Sequence, residues 1–157
     1  MERVLEIGHY AAGFCGKIFA QNQCDVVRVD SSDPPAWASN QAMNVFLHSG
    51  KRVIDCCSKE SLKRLASKAD ILVLEAPTSD LALAWDVDEW DTPVKVVITP
   101  FGLTGPKRNW KATPSILLAM GGYTNLMGDE GKVPLSLPGH YVDFQSGQFA
   151  YIAANAV

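Results

Sequence analysis

The sequence predicts an α/β fold, an open and mostly parallel sheet flanked by helices. Three observations predict it. Five short runs rich in β-branched or apolar residues (Val4–Ile7, Asp25–Asp30, Arg52–Cys56, Ile71–Leu74 and Val94–Ile98) recur along the first two thirds of the chain. Segments of helical composition alternate with them, and such alternation implies parallel pairing through right-handed crossovers. The run Ile71-Leu72-Val73-Leu74 is apolar at every position, the pattern of a strand covered on both faces.

Each element has a local reason. The first strand stops at Gly8, and Ala11–Gln23 has helical composition. Asp25–Asp30 is the second strand; Ser31–Asn40, with Pro34 and Pro35, is a loop. Arg52–Cys56 is the third strand. Ser58 caps a helix that runs to Lys68, with Leu62, Leu65 and Ala66 on one face. Asp70 precedes the fourth strand, Thr78–Trp90 holds a short helix, and Val94–Ile98 is the fifth strand. Past Pro100 the rhythm changes. Phe101–Lys111 is a loop rich in glycine and basic residues. Thr113 and Pro114 are an N-cap hydroxyl and a first-position proline, opening a helix that stops at Gly121-Gly122. Gly128–Pro138 is turn-rich, and Asp143 precedes a last apolar helix.

A chain of 157 residues fits one domain. With 47% hydrophobic and 20% charged residues, it is neither disordered nor collagen-like. Its 17 acidic against 14 basic side chains argue against a nucleic-acid partner, which needs a basic footprint. No apolar run is long enough to span a bilayer, so no membrane partner is expected. Met1–Gly8 carries charges within a short apolar run and is not a signal peptide. Cys15, Cys24, Cys56 and Cys57 form no C-x-x-C pair and read as reduced thiols of a cytoplasmic protein, small buried apolar residues. His48 and His140 lack a metal-ligand partner three or four residues on, so no metal is expected. The apolar stretch Phe149–Val157 carries none of the usual helix stop signals, and the chain reads as cut from a longer one.

Ligands of open α/β sheets sit at the carboxyl ends of strands, and three places there could carry chemistry. Gly8–Gly16 is small enough for close backbone approach, with a helix N-terminus behind it that favours an anion; equally, it is a plain turn whose glycines allow tight packing. His9 could be a base, a hydrogen-bond donor or a satisfied turn residue. Asp30 ends the second strand, where an acidic residue would bind a ribose. However, the glycines at 8, 13 and 16 do not form G-x-G-x-x-G, which argues against a dinucleotide. The Phe101–Lys111 loop suits a phosphate-bearing ligand, or is a solvated basic loop. Asp143 is either an N-cap bonding Gln145 or Ser146, or a carboxylate nucleophile that forms an acyl intermediate, and spacing does not separate these.

Taken in order, several segments resemble the class III coenzyme A transferases, the CaiB/BaiF family. Val4–Gly13 followed by Asp25–Asp30 resembles the family's opening. Gly50–Asp55 is similar to its G-K-R-S-V-x-L-D segment, and Ala69–Val73 to its A-D-V-L-V strand. Ile98–Pro106 resembles its S-I-T-x-F/Y-G-x-x-G-P loop. Asp143–Gly147 is similar to the D-x-x-x-G segment that bears the catalytic aspartate. The resemblance implies a Rossmann-like large domain that binds coenzyme A, with a longer native chain forming an interlocked homodimer. It implies transfer of coenzyme A between an acyl-CoA and a carboxylic acid. The aspartate, by position Asp143, first forms a mixed anhydride and then an aspartyl-CoA thioester. By the same resemblance, coenzyme A contacts fall to His9, Ala11, Ala12, Gly13, Phe101, Gly102 and Lys111.

Three departures qualify what the resemblance implies. The family's A-G-P turn reads Ala12-Gly13-Phe14, without the proline. Its F-R-P-G segment is replaced after Glu75 by Ala76-Pro77-Thr78-Ser79. The H-D dipeptide of the related 2-methylacyl-CoA racemases is replaced by Thr113-Pro114, which favours transferase over racemase chemistry. The alternative is a catalytically degenerate CoA-binding or interaction module of the same family. The absent F-R-P-G segment favours that alternative; the retained Asp143 and Gly147 oppose it. Little or no turnover is expected of this polypeptide alone.

Overall fold

Five strands, β1 (Arg3–Ile7), β2 (Asp25–Asp30), β3 (Arg52–Asp55), β4 (Ile71–Glu75) and β5 (Val94–Ile98), form one sheet in the order β3-β2-β1-β4-β5. The computed structural model describes residues 1–30, 40–55 and 58–157. Every pairing among the described residues is parallel. The expected loop at Ser31–Asn40, apart from Asn40 itself, lies outside the described residues. So do Cys56 and Cys57. The helices are α1 (Tyr10–Gln21), α2 (Gln41–His48), α3 (Lys59–Ala66), α4 (Ser79–Leu83), α5 (Pro114–Met120), α6 (Tyr123–Leu126) and α7 (Tyr141–Ala154).

Strand alternation divides the core into two layers. On one face, Leu5, Ile7, Val27, Val29, Leu72 and Leu74 pack against Leu62 and Ala66 of α3 and against Trp90. On the other, Val4, Val26, Ile71 and Val73 meet Ala12, Cys15 and Phe19 of α1 and Ala150 and Ala154 of α7. The strand order moves outward from β1 to β3, then returns to place β4 on the other side of β1. That reversal opens a crevice at the carboxyl ends of β1 and β4.

Glu6, in the middle of β1, is fully buried where an apolar residue would be expected. Lys51 answers it, with Nζ 2.6 Å from Glu6 Oε2 and 2.7 Å from the Gly13 carbonyl oxygen. Burial drives both groups toward their neutral forms, Glu6 upward and Lys51 downward in pKa, and their attraction opposes it. Burial beside Lys51 and Arg28 lowers His48 to about 3, so its imidazole is neutral near pH 7. Burial pushes the Cys15 thiol up to about 12, which leaves it an inert packing residue.

Most helix starts follow the sequence reading. Ser58 caps α3 by accepting from Ser61, Thr78 caps α4 and Thr113 caps α5. Three elements differ from it, one of them α6, which forms in a stretch the sequence did not mark as helical. Gln41–His48 forms α2, capped by Asn40, in a stretch the sequence did not mark as helical. The last helix begins at Tyr141 with His140 in the cap position, so Asp143 lies inside its first turn and is not the N-cap.

Candidate functional site

A cavity of about 720 Å³ opens at the carboxyl ends of β1, β4 and β5. His9 and Ala11 reach it from the first turn and Glu75 from the end of β4. Thr99 follows β5, Lys111 closes the long loop, and Asp143 comes from α7. The site therefore sits at the crevice created by the strand reversal.

Glu75 builds one wall. Its Oε2 accepts from the backbone N–H groups of His9 and Ala12, at 2.9 and 2.8 Å. These are donors that a helix N-terminus leaves without intrahelical partners. Burial raises the Glu75 pKa, more than the two backbone N–H bonds lower it, and the charge on Asp143 adds to the rise. Gly8 makes the approach possible: at φ 150° its Cβ would lie 2.5 Å from Glu75 Cβ.

Asp143 builds the other wall. Its Oδ2 lies 3.2 Å from Nδ1 of His140, one turn back at the helix start. The His140 ring stacks on Tyr10, with centroids 3.9 Å apart and planes at 25°. Burial, and then the Asp143 carboxylate, raise the Tyr10 phenol, so it stays protonated near neutral pH. Gly147 lets α7 lie close on α1: a Cβ there would strike the Ala11 carbonyl oxygen and come within 3.0 Å of the Cys15 nitrogen. The backbone of α1 thus sets the position of Asp143 one turn earlier.

The structure brings together His9, Ala11, Lys111 and Asp143 around one cavity. Ala12 is fully buried behind it and contributes its N–H to Glu75. Gly13 faces the other way, its carbonyl on Lys51 and its Cα side toward His48. Phe101 is not among the lining residues; its ring packs edge-on against Trp110, at 6.1 Å. Gly102, at φ 76°, turns the loop with open space beside it. The segment in the place of F-R-P-G is occupied locally. Ser79 donates its N–H to the Arg108 carbonyl and its hydroxyl to that of Leu103, and the Asp80 N–H donates to the Asn109 side chain. The glycine-rich loop is thereby laid across the start of α4.

Glu75, His140, Tyr10 and Lys51 were not marked as site residues by sequence. Of these, only the His140–Asp143 spacing of three carried a local signal. Among the described residues no cluster of side chains could hold a metal ion, and no helix is long and apolar enough to cross a membrane.

CoA-transferase family III matches the chain over residues 2–157. The Succinyl-CoA:(R)-benzylsuccinate CoA-transferase subunit BbsE of Thauera aromatica is 29% identical over 155 residues, covering 85% of this chain and 37% of that protein. A crystal structure of a CAIB/BAIF family protein from Brucella suis superposes over 99% of this chain and 47% of its own, with a TM-score of 0.86 and 22% identity. The Mycobacterium tuberculosis protein Rv3272 gives a TM-score of 0.80 at 21% identity, over 99% of this chain and 48% of that one. The chain thus spans well under two thirds of each of these relatives. At such identities the structural likeness establishes the shared Rossmann-like α/β fold.

Proposed function

The chain belongs to CoA-transferase family III, and from that membership we propose that it transfers coenzyme A between an acyl-CoA thioester and a carboxylic acid, as part of a longer protein, with Asp143 as nucleophile. One observation carries the reading: Asp143 lines the crevice cavity together with His9, Ala11 and Lys111. A carboxylate there attacks the donor thioester carbonyl; the C–S bond breaks, and coenzyme A leaves as thiolate from a mixed anhydride. The thiolate then attacks the aspartyl carbonyl, releasing the donor acid and forming an aspartyl-CoA thioester. The acceptor carboxylate displaces the thiolate to give a second anhydride. The thiolate attacks its acyl carbonyl, which releases the new acyl-CoA and restores Asp143.

Coenzyme A, a substrate here, finds small residues at Ala11 and a cation at Lys111 along the cavity. It does not find a free helix N-terminus at α1, because Glu75 takes those N–H groups. Transferase chemistry suits this geometry better than α-proton exchange. Thr113 is used as a cap, with its hydroxyl accepting from the Ile116 N–H. The imidazole nearest Asp143 is hydrogen-bonded to it, so the two share one side and do not flank a substrate carbon from opposite faces. The proposal extends to a homodimer in the cytoplasm. Phe149 and Ile152 of α7 and Leu126 of α6 are 62%, 53% and 81% exposed, apolar surface of the kind subunits bury.

The test is intact mass after incubation with a panel of acyl-CoAs, followed by hydroxylamine. The expected result is a coenzyme A adduct on Asp143 that hydroxylamine releases and that Asp143→Asn lacks. Coenzyme A binding without an adduct would instead support the degenerate binding module. The absence of both binding and adduct would overturn the assignment.

A further inference from the structure

We infer that His140 is a positioning residue for Asp143, donating its Nδ1–H to Oδ2 and leaving Oδ1 as the attacking oxygen. The inference rests on the nucleophile reading above and adds a residue to it. The distance of 3.2 Å lies at the long end of the N–H···O hydrogen-bond range. The two side chains are 32% and 26% exposed, sheltered enough to hold one geometry yet open to a substrate.

The ring is held on two sides. Tyr10 of α1 stacks on it at 3.9 Å, and Phe144 lies on its flank, at 5.8 Å between centroids. Gly139, at φ 65°, makes the left-handed turn that delivers His140 to the helix start. The His140 carbonyl already serves the helix by accepting from the Phe144 N–H at 2.9 Å. Its side chain makes no capping bond, although it occupies the cap position. A histidine that was only ending a loop would need neither the aromatic clamp nor the aspartate.

A carboxylate can attack through either oxygen, and free rotation spreads it over many unproductive orientations. A donor fixed on Oδ2 selects one orientation. During attack the Oδ1–C bond forms, the C–S bond breaks, and its electron pair leaves on sulfur. The proton stays on Nδ1 throughout, so no further acid or base is required.

The first test is nitrogen-15 NMR of the imidazoles at about pH 8, where an ordinary histidine is neutral. The three histidines are assigned through single substitutions. Nδ1 of His140 is expected to carry its proton in the wild type and to lose that preference in Asp143→Asn. A bare Nδ1 on His140 would overturn the inference. The second test is the rate of adduct formation on Asp143. His140→Leu, which keeps bulk but no donor, is expected to slow it about 10- to 100-fold, the usual loss for a hydrogen bond to a charged group. His140→Asn, which can present an amide N–H, is expected to restore most of the rate. Equal rates in wild type and His140→Leu would also overturn the inference. No adduct in the wild type would overturn the nucleophile reading, and the positioning role with it, separately from the NMR result.

Discussion

Glu75 caps Ala12 from another element: its Oε2 lies 2.8 Å from the Ala12 nitrogen and also accepts from His9. In many α/β folds the N-terminus of the first helix is where a ligand phosphate docks. Here the protein's own carboxylate fills that position and offsets the helix dipole. The failed G-x-G-x-x-G spacing and the half-buried Glu75 are two sides of one arrangement: the turn is shaped to receive a side chain instead of a pyrophosphate.

That arrangement predicts a pH signature. The folded protein binds the Glu75 proton more tightly than the unfolded chain does, because burial raises its pKa above the ordinary 4.5. The stability it contributes is complete below that ordinary value and is lost as pH rises through the folded pKa. Glu75→Gln keeps an acceptor but does not titrate. Urea denaturation should therefore show the wild type's advantage over Glu75→Gln shrinking as pH rises above that ordinary value. An advantage that grows with pH would mean that the N–H groups hold Glu75 as an anion. Glu75→Ala should lose about 2–3 kcal/mol, having stranded two donors.

The Lys51–Glu6 pair predicts a strong non-additivity. Both side chains are fully buried, and Lys51 also anchors the Gly13 carbonyl. Lys51→Met leaves an uncompensated carboxylate and should cost about 3–5 kcal/mol. Adding Glu6→Met should recover most of that, since a buried pair is often replaceable by apolar groups. A double variant as unstable as the sum of the singles would show that the pair's desolvation does not govern the site.

Gly147 is where packing meets chemistry. It lies one helical turn after Asp143, and a Cβ there would meet backbone of α1 that cannot move aside like a flexible side chain. Gly147→Ala should cost about 1–3 kcal/mol as overpacking, measurable by chemical denaturation. It should also abolish the Asp143 adduct by lifting the start of α7 from α1. Gly131→Ala, at a φ of 77° but with open space around it, should cost comparable stability through backbone strain and leave the adduct intact. Loss of the adduct in both variants would tie it to global stability and not to the α1–α7 contact.

The strands were legible because β-branched runs such as Val26-Val27 and the apolar Ile71–Leu74 carry their signal within a few residues. The caps at Ser58 and Thr113 are legible for the same reason, whereas the cap at Thr78 is not marked by the sequence beyond a short helix somewhere in Thr78–Trp90. Helix α2 is not legible: it has eight residues, of which only Leu47 and His48 are buried, a run too short to stand out next to the proline-bearing stretch before it. The start of α7 was misplaced because Tyr141-Val142 are weak helix openers, whereas Asp143 is a good cap by type. Glu75 was seen only as the edge of a divergent segment. Its bonds to His9 and Ala12 span more than sixty residues, and nothing local encodes them. His140 stands three residues before Asp143, a spacing that places both on one helix face but does not by itself tell a positioning contact from chance.

The loop after β5 divides its cations, which gives a prediction about ligand binding. Lys107 lies over the Trp110 ring, 4.9 Å from its centroid, and is thereby engaged within the loop. Lys111 instead lines the cavity beside Asp143. If coenzyme A phosphates take their charge partner there, Lys111→Ala should weaken coenzyme A binding about 2- to 5-fold at low salt, the scale of an exposed ion pair. Lys107→Ala should change it little. Calorimetry at about 0.01 M and about 1 M salt separates the contributions, since screening shortens from about 30 Å to about 3 Å between them. The Lys111 effect should fade at high salt, whereas a contact made through the lysine's methylene stem would not. A larger loss from Lys107→Ala than from Lys111→Ala would move the anion contact to the outer loop. Because Glu75 already occupies the α1 terminus, that result would also put the phosphates outside the crevice.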